Sequence, residues 1–516
     1  MMRKASRSRA TAALAMALLV AACGGGGADS AGVGEITVAP GDDVLVSQDR
    51  NPIVARNSPV LAVNPTQRPN MVVVDRVDRP DYAAGVHVTN NGGGNWQDIA
   101  LKPPPGNPGK FFAPSAVYDA RGMLYVSYVI LSGPGNSPES FWVARSGDGG
   151  LTFDEPTRIA GAHTFQTSLA ADPRSGRLYA SWLQSKPEAT MCNLCFAETG
   201  LPIVVSTSND GGRTWSPPAQ ASDGGRMRVG APSLAVDPDG NPAVLYLDYG
   251  SDRVDWENIP GTYDGTFTLV LARSTDRAGR FEPGQVVDAD MVPPGRFVVY
   301  LPVSPALAIG DDGDMVAVWA DARSGDSDIL LRRSTDDGKT WTKPVQVNRG
   351  TVGDGVPQDM PSVSISRGGR IDVVYYDRTL DRQGSTADVL LSSSSNSGTS
   401  FTKTFRISKA SSNRKVGPEG SPHSPEADFG TRIAVASLPG ATVAAWTDTR
   451  NGTPDTDKQD IFSASVALSD SASVGLVFRL LAALGILLSI AGVTLFVLSR
   501  RSRRTTPPAA PAPGQG

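Results

Sequence analysis

Histidine and cysteine are almost missing from this chain, with three of each in 516 residues. His87, His163 and His423 stand far apart, and a structural zinc site needs four nitrogen or sulfur ligands brought together. Cysteine occurs only as Cys23 and the pair Cys192 and Cys195; Phe196 follows Cys195, so the Cys-x-x-Cys-His signature of covalent haem attachment is missing. No cofactor is expected. An excess of positive charge is lacking too. The net charge of −4 and the want of a basic patch argue against a nucleic-acid partner. Long apolar runs are confined to the neighbourhood of the two ends.

Those two runs read as membrane signals. Arg3, Lys4, Arg7 and Arg9 precede an apolar stretch from Ala10 to Ala22, the layout of an export signal over 1–22. It closes on Leu19-Val20-Ala21-Ala22-Cys23, followed by a Gly-rich tether over 23–34. The segment resembles a bacterial lipobox, which implies lipidation of Cys23; the alternative is a plain secretory signal with an incidental cysteine. Leu480–Leu498 is apolar apart from Ser489 and Thr494 and is long enough to span a bilayer. Arg500, Arg501, Arg503 and Arg504 follow it. The positive-inside bias puts the Arg/Pro/Ala-rich tail, 499–516, in the cytoplasm and everything before the span outside a bacterial cytoplasmic membrane. Export makes a local disulfide between Cys192 and Cys195 the expected state of that pair, with a soft metal site as the rival.

Between the anchors, over 35–470, glycine and proline are abundant, 55 and 40 in the whole chain, as befits many short strands joined by turns. An eight-residue motif recurs six times. Three copies are close: Ser146 to Phe153, Ser208 to Trp215 and Ser334 to Trp341. Three are looser: Thr89 to Trp96, Ser274 to Phe281 and Ser394 to Phe401. Their starts lie 57, 62, 66, 60 and 60 residues apart, the mark of a repeat architecture. In Ser-x-Asp-x-Gly-x-Thr-Trp/Phe, the Asp side chain can accept hydrogen bonds from backbone N–H groups further round a tight turn, while Gly supplies positive φ.

This motif resembles the Asp box, or BNR repeat, of the sialidase (neuraminidase) superfamily. The resemblance implies an all-β propeller with the boxes between third and fourth strands, away from any active site. A second repeat, close to Pro-Ser-Leu-Ala-Val-Asp-Pro, opens seven units; Ala231 to Pro238 is its fullest copy. The seventh unit, from about Gly430 to Asp470, holds three strands and no box, and Glu35 to Val38 is an orphan strand. Seven blades are therefore expected, closed by the N-terminal strand; the count falls to six if two units form one distorted blade.

The resemblance also implies that loops leading into the first strands converge on the axis. Those loops carry Arg56, Arg228, Arg296 and Arg432, candidates for holding an anionic sugar because guanidinium forks match carboxylates. Tyr300, Glu426 and Asp359 are the candidate catalytic groups. Sialidases open the first blade with Arg-Ile-Pro; here the nearest match is Arg56-Asn-Ser-Pro59. A surface glycosidase or glycan binder is one reading, and a non-enzymatic binding or assembly propeller the other. Trp319-Ala-Asp321-Ala-Arg323, Tyr376-Asp377-Arg378 and Trp446-Thr-Asp448-Thr-Arg450 repeat in the last three units and suggest an Arg–Asp clasp between second and third strands. The acidic clusters at 237–241 and 311–314 lack the downstream Glu of a calcium loop and read as turns.

Overall fold

The computed structural model describes residues 36–133, 135–185, 201–250, 266–294, 304–382, 385–401, 403–419, 426–470 and 514. Cys23, Cys192, Cys195, Arg296, Tyr300, His423 and the span Leu480–Leu498 lie outside the described residues.

The second strand of each repeat is a short continuous apolar run such as Met71-Val-Val-Val74 or Met315-Val-Ala-Val-Trp319. Such a run suits a strand buried on both faces, and the architecture supplies that environment. Seven sheets are found among the described residues, six with strands in chain order and the seventh closed by the N-terminal segment. Blade 1 runs Ala55–Val63, Met71–Arg79, Ala83–Thr89, Gln97–Asp98. Blades 2 to 6 open with Lys110–Tyr118, Thr164–Ala171, Val229–Val236, Ala306–Ile309 and Gln358–Ile365. These inner strands touch in sequence round the ring, and Ala434–Leu438 of blade 7 touches Ala55–Val63 of blade 1. Six blades are ruled out, and the molecule is a seven-bladed propeller.

Blade 7 contains Ala434–Leu438, Ala441–Asp448 and Asp460–Asp470, with Ile36–Leu45 as its outer strand. The orphan strand is thus the closing strand, longer than the sequence suggested. It leaves the third strand of blade 7 without an open edge.

The core lies between blades. Val72, Val74, Val86 and Val88 of blade 1 meet Val126, Tyr128 and Ile130 of blade 2. Met71, Val73 and Trp96 meet Val443, Ala445 and Ile461 of blade 7. Each such side chain contributes about 1.5–3 kcal/mol of burial. Trp182, Trp319 and Trp446 occupy equivalent second-strand positions and are fully buried. Their indole N–H groups donate to Gln184, Asp321 and Asp448, two residues on, at 2.8, 2.8 and 3.1 Å.

All six eight-residue motifs join third to fourth strands on one face, called lower here. In the box at Asp210, the Ser208 hydroxyl donates to Oδ1, the Gly212 N–H to Ser208 Oγ, and the Thr214 N–H and hydroxyl to the two carboxylate oxygens, at 2.6 to 2.9 Å. The boxes at Asp148 and Asp336 repeat these bonds.

The expected clasp takes a different form. Arg323 binds its own Asp321 and reaches back to Asp288 of blade 4, and Arg450 binds Asp448 and Asp43 of the closing strand. The third-strand acids Asp328, Asp388 and Asp460 take other donors: Asn348, Arg406 and Asn451. Asp321 and Asp328 are direct cross-strand partners, as are Asp448 and Asp460. Like charges so placed repel, and separate donors relieve that repulsion. The acidic clusters are turns: Asp237 Oδ1 accepts the N–H groups of Asp239 and Asn241, and Asp312 that of Asp314.

Candidate functional site

The inner strands begin at the upper face with a shared irregularity. Ser58, Ala113, Gln166, Ala231 and Met360 all have φ between 48° and 54°, and the pairing register shifts at each. Gly430, with φ 87°, precedes the inner strand of blade 7. Such a bulge bends the strand and re-aims the side chains before it. The chain entering blade 7 is tied to the blade 1 bulge, the Thr431 N–H donating to Ser58 Oγ at 3.0 Å.

Two clusters of opposite charges form above these bulges. In the first, Nη2 of Arg76, from the second strand of blade 1, donates to Asp78 at 2.7 Å and to Asp428, just before blade 7, at 2.6 Å. Asn57, beside the blade 1 bulge, donates to the same Asp78 oxygen at 2.8 Å, while Asp78 Oδ1 is buried with no partner. Burial lifts the Asp78 carboxyl above its ordinary range; Arg76 opposes that shift and Asp428 adds to it. Arg76 lies over the Phe112 ring at 5.6 Å, and Tyr82 meets Phe112 edge-on at 5.3 Å.

The second cluster brings together two of the sequence candidates, Asp359 and Glu426. Arg414 bonds Asp359 at 3.1 Å and Glu426 at 3.5 Å, and Arg378 bonds Glu426 at 2.5 Å. Arg414 is buried over Phe429 and Tyr376, at 4.2 and 5.1 Å. Its charge remains fixed, since the two carboxylates outweigh the burial that would otherwise lower its pKa.

Arg432 stands beside the first cluster, next to Arg76. It enters from blade 7, yet its Nη2 donates to the Pro114 carbonyl of blade 2 at 3.2 Å, skipping blade 1. Its Nε has no partner, and burial together with the neighbouring Arg76 pulls its pKa down to about 10. A guanidinium short of acceptors is poised for an anion.

Arg56 is placed differently. It is taken up by Asp49 at 2.9 Å and Asp75 at 3.0 Å. Asp75 and Asp98 then flank His87 at 2.6 Å on either ring nitrogen, so an ionic row crosses the sheet of blade 1. Burial would depress the His87 pKa, but Asp75 and Asp98 outweigh it and raise the value. Arg228 stands half-buried just before Val229–Val236, its carbonyl accepting the Tyr249 N–H. Among the described residues no group of three His, Cys, Asp or Glu side chains could hold a metal ion, and no helix is long and apolar enough to cross a membrane.

Sequence reasoning missed Asn57, Arg76, Asp78 and Arg414. A signal was present for two of them, Arg76 and Asp78. Asp75-Arg76-Val77-Asp78 puts charges inside a strand whose first seven residues are all buried, and buried charges need partners.

No family model matches the sequence, and no curated protein is similar to it. Solved structures do resemble it at low identity. A protein of unknown function from Dyadobacter fermentans is 11% identical, with 84% of this chain and 99% of that one covered and a TM-score of 0.46. The phage phi92 endosialidase is 11% identical over 83% of this chain and 69% of that one, with a TM-score of 0.47. A Penicillium chrysogenum alpha-L-arabinanase is 16% identical over 70% and 94%, with a TM-score of 0.40. Likeness at this level carries no conclusion about chemistry, which rests on the chain's own residues.

Proposed function

We propose that this chain is a membrane-anchored propeller, held outside the cytoplasmic membrane by Cys23 and Leu480–Leu498, whose upper face binds and hydrolyses an acidic glycan. One observation carries the reading: a single nitrogen of Arg76 holds two carboxyl groups, one of which, Asp78, is pushed toward its protonated form by burial. A carboxyl group pushed toward its acid form beside a second carboxyl group is what glycoside hydrolysis requires. Asp78 gives its proton to the leaving oxygen while the Asp428 carboxylate attacks the anomeric carbon. Water then releases the sugar, with Asp78 taking the proton back. Both carboxyl groups lie on one nitrogen, so their spacing is of the close, retaining kind rather than about 6.5–9.5 Å.

Arg432 takes the acid group of the sugar, with Arg228 and Arg296 completing the contacts from blades 4 and 5. Asp359 and Glu426, with Tyr300, are recognition groups in this scheme, because Arg378 and Arg414 already pair with the two acids.

The second reading, a binding module without catalysis, is favoured by the internal pairing of Arg56 with Asp49 and Asp75. A panel of neutral, uronate-bearing, sialylated and sulfated glycans separates anion recognition from none. Arg432→Ala is expected to weaken binding of the acidic members by about 2 kcal/mol, some 30-fold, without lowering the melting temperature. Equal binding by the variant and the wild type would remove Arg432 from the site.

A further inference from the structure

The closing strand and the third strand of blade 7 run past the rest of their blade. Ala441–Asp448 stops pairing with Asp460–Asp470 at Ala467. Leu468 still donates its N–H to the Gly440 carbonyl at 2.9 Å, and Ser469 and Asp470 continue, paired only with Thr37 and Ile36. Third strands run from the upper face to the lower, since five of the other six end on the first residue of an Asp box. A short two-stranded ribbon therefore projects about 7 Å beyond the lower face, at about 3.3 Å per residue. The missing Asp box of blade 7 has the same cause. Its third strand has no turn to make, because its fourth strand arrives from elsewhere in the chain.

Both routes out of the propeller leave from the tip of this ribbon, where Ile36 and Asp470 are paired. Cys23 stands 13 residues before Ile36, and Leu480 stands 10 residues after Asp470. Fully extended, those segments reach at most about 45 Å and about 35 Å. The bulges, Arg432 and both charge clusters lie at the other face.

We propose that the lower, Asp-box face of the propeller is turned toward the lipid bilayer and the upper face is held away from it. This rests on the reading that Cys23 and Leu480–Leu498 are membrane anchors. The two anchors then act as one stalk from one corner of the lower face, so a large or surface-bound glycan meets the upper face without crossing the membrane. Anchors leaving from opposite faces, or from the upper one, would lay the propeller on its side or invert it.

The test uses the full chain in its native membrane, with Cys192→Ser and Cys195→Ser to clear the background. A donor dye is placed at Thr399→Cys or Leu380→Cys, exposed positions on the lower and upper faces of the same blade. A second pair, Leu151→Cys and Ser137→Cys, repeats the comparison in blade 2. Lipids carry an acceptor dye on the headgroup. Higher energy transfer from Thr399 than from Leu380, and from Leu151 than from Ser137, is expected. Equal or reversed transfer, with the protein in the membrane pellet, overturns the orientation and leaves anchoring intact. Recovery of the protein in the soluble fraction overturns both.

Discussion

Asp210 shows how a side chain can matter to the fold and not to function. Its carboxylate accepts from Ser208, Arg213 and Thr214 within a single turn. Those donors, chiefly the Thr214 hydroxyl and N–H, lower its pKa to about 2. The stability it contributes is complete above about pH 3.9, the unfolded value, and is lost as pH falls through 2. Asp210→Ala should lower stability by about 1–2 kcal/mol in chemical denaturation and leave ligand binding unchanged in the folded fraction. His87 carries the opposite sign. Its folded pKa is raised, so its stabilising effect is full below about pH 6.5 and fades as pH rises through the folded value. His87→Phe leaves the buried Asp75 with Arg56 as its one charged partner and should cost about 3 kcal/mol at pH 6. The gap to the wild type should narrow at alkaline pH, and a gap constant from pH 6 to pH 10 would refute the buried imidazolium.

At the scale of elements, closure of blade 7 depends on a few long-range contacts. Asp43 of the closing strand receives Arg450 at 2.7 Å and the Lys409 N–H at 2.8 Å. These partners hold its carboxyl below the usual range although burial acts against them. Asp43→Ala should speed amide exchange in 36–45 and 460–470 and leave the Asp-box turns of blades 2 and 3 as protected as before. Exchange that rises evenly across all seven blades would show that the closing strand has no local role. The closure was legible in the sequence because a three-strand unit and an orphan strand add up to one blade. The Asp boxes were legible because their chemistry is local, with every partner within a few residues. The upper face was only partly so. Asp359, Glu426 and Arg432 stand out as polar residues in leading loops, but Arg414 meets Asp359 and Arg76 meets Asp428 across separations of 55 and 352 residues. No local pattern encodes such pairings. Arg56 shows the converse, a residue in the expected loop that its own sheet neutralises.

Taken whole, the molecule separates its tasks by face. The lower face holds the repeating turns and the ribbon from which both chain segments leave. The upper face gathers charged side chains from blades 1, 6 and 7 in two clusters, with Arg432 beside the first. The central claim is that Asp78 and Asp428 form an acid and nucleophile pair on that upper face. Hydrolysis of a panel of fluorogenic acidic glycosides by the wild type, Asp78→Asn and Asp428→Asn tests it most directly. At least one glycoside should be cleaved with retention of anomeric configuration, and each variant should lose about 100-fold or more of the rate at unchanged melting temperature. Cleavage that persists at the wild-type rate in both variants, or no cleavage of any member by the wild type, would contradict the account.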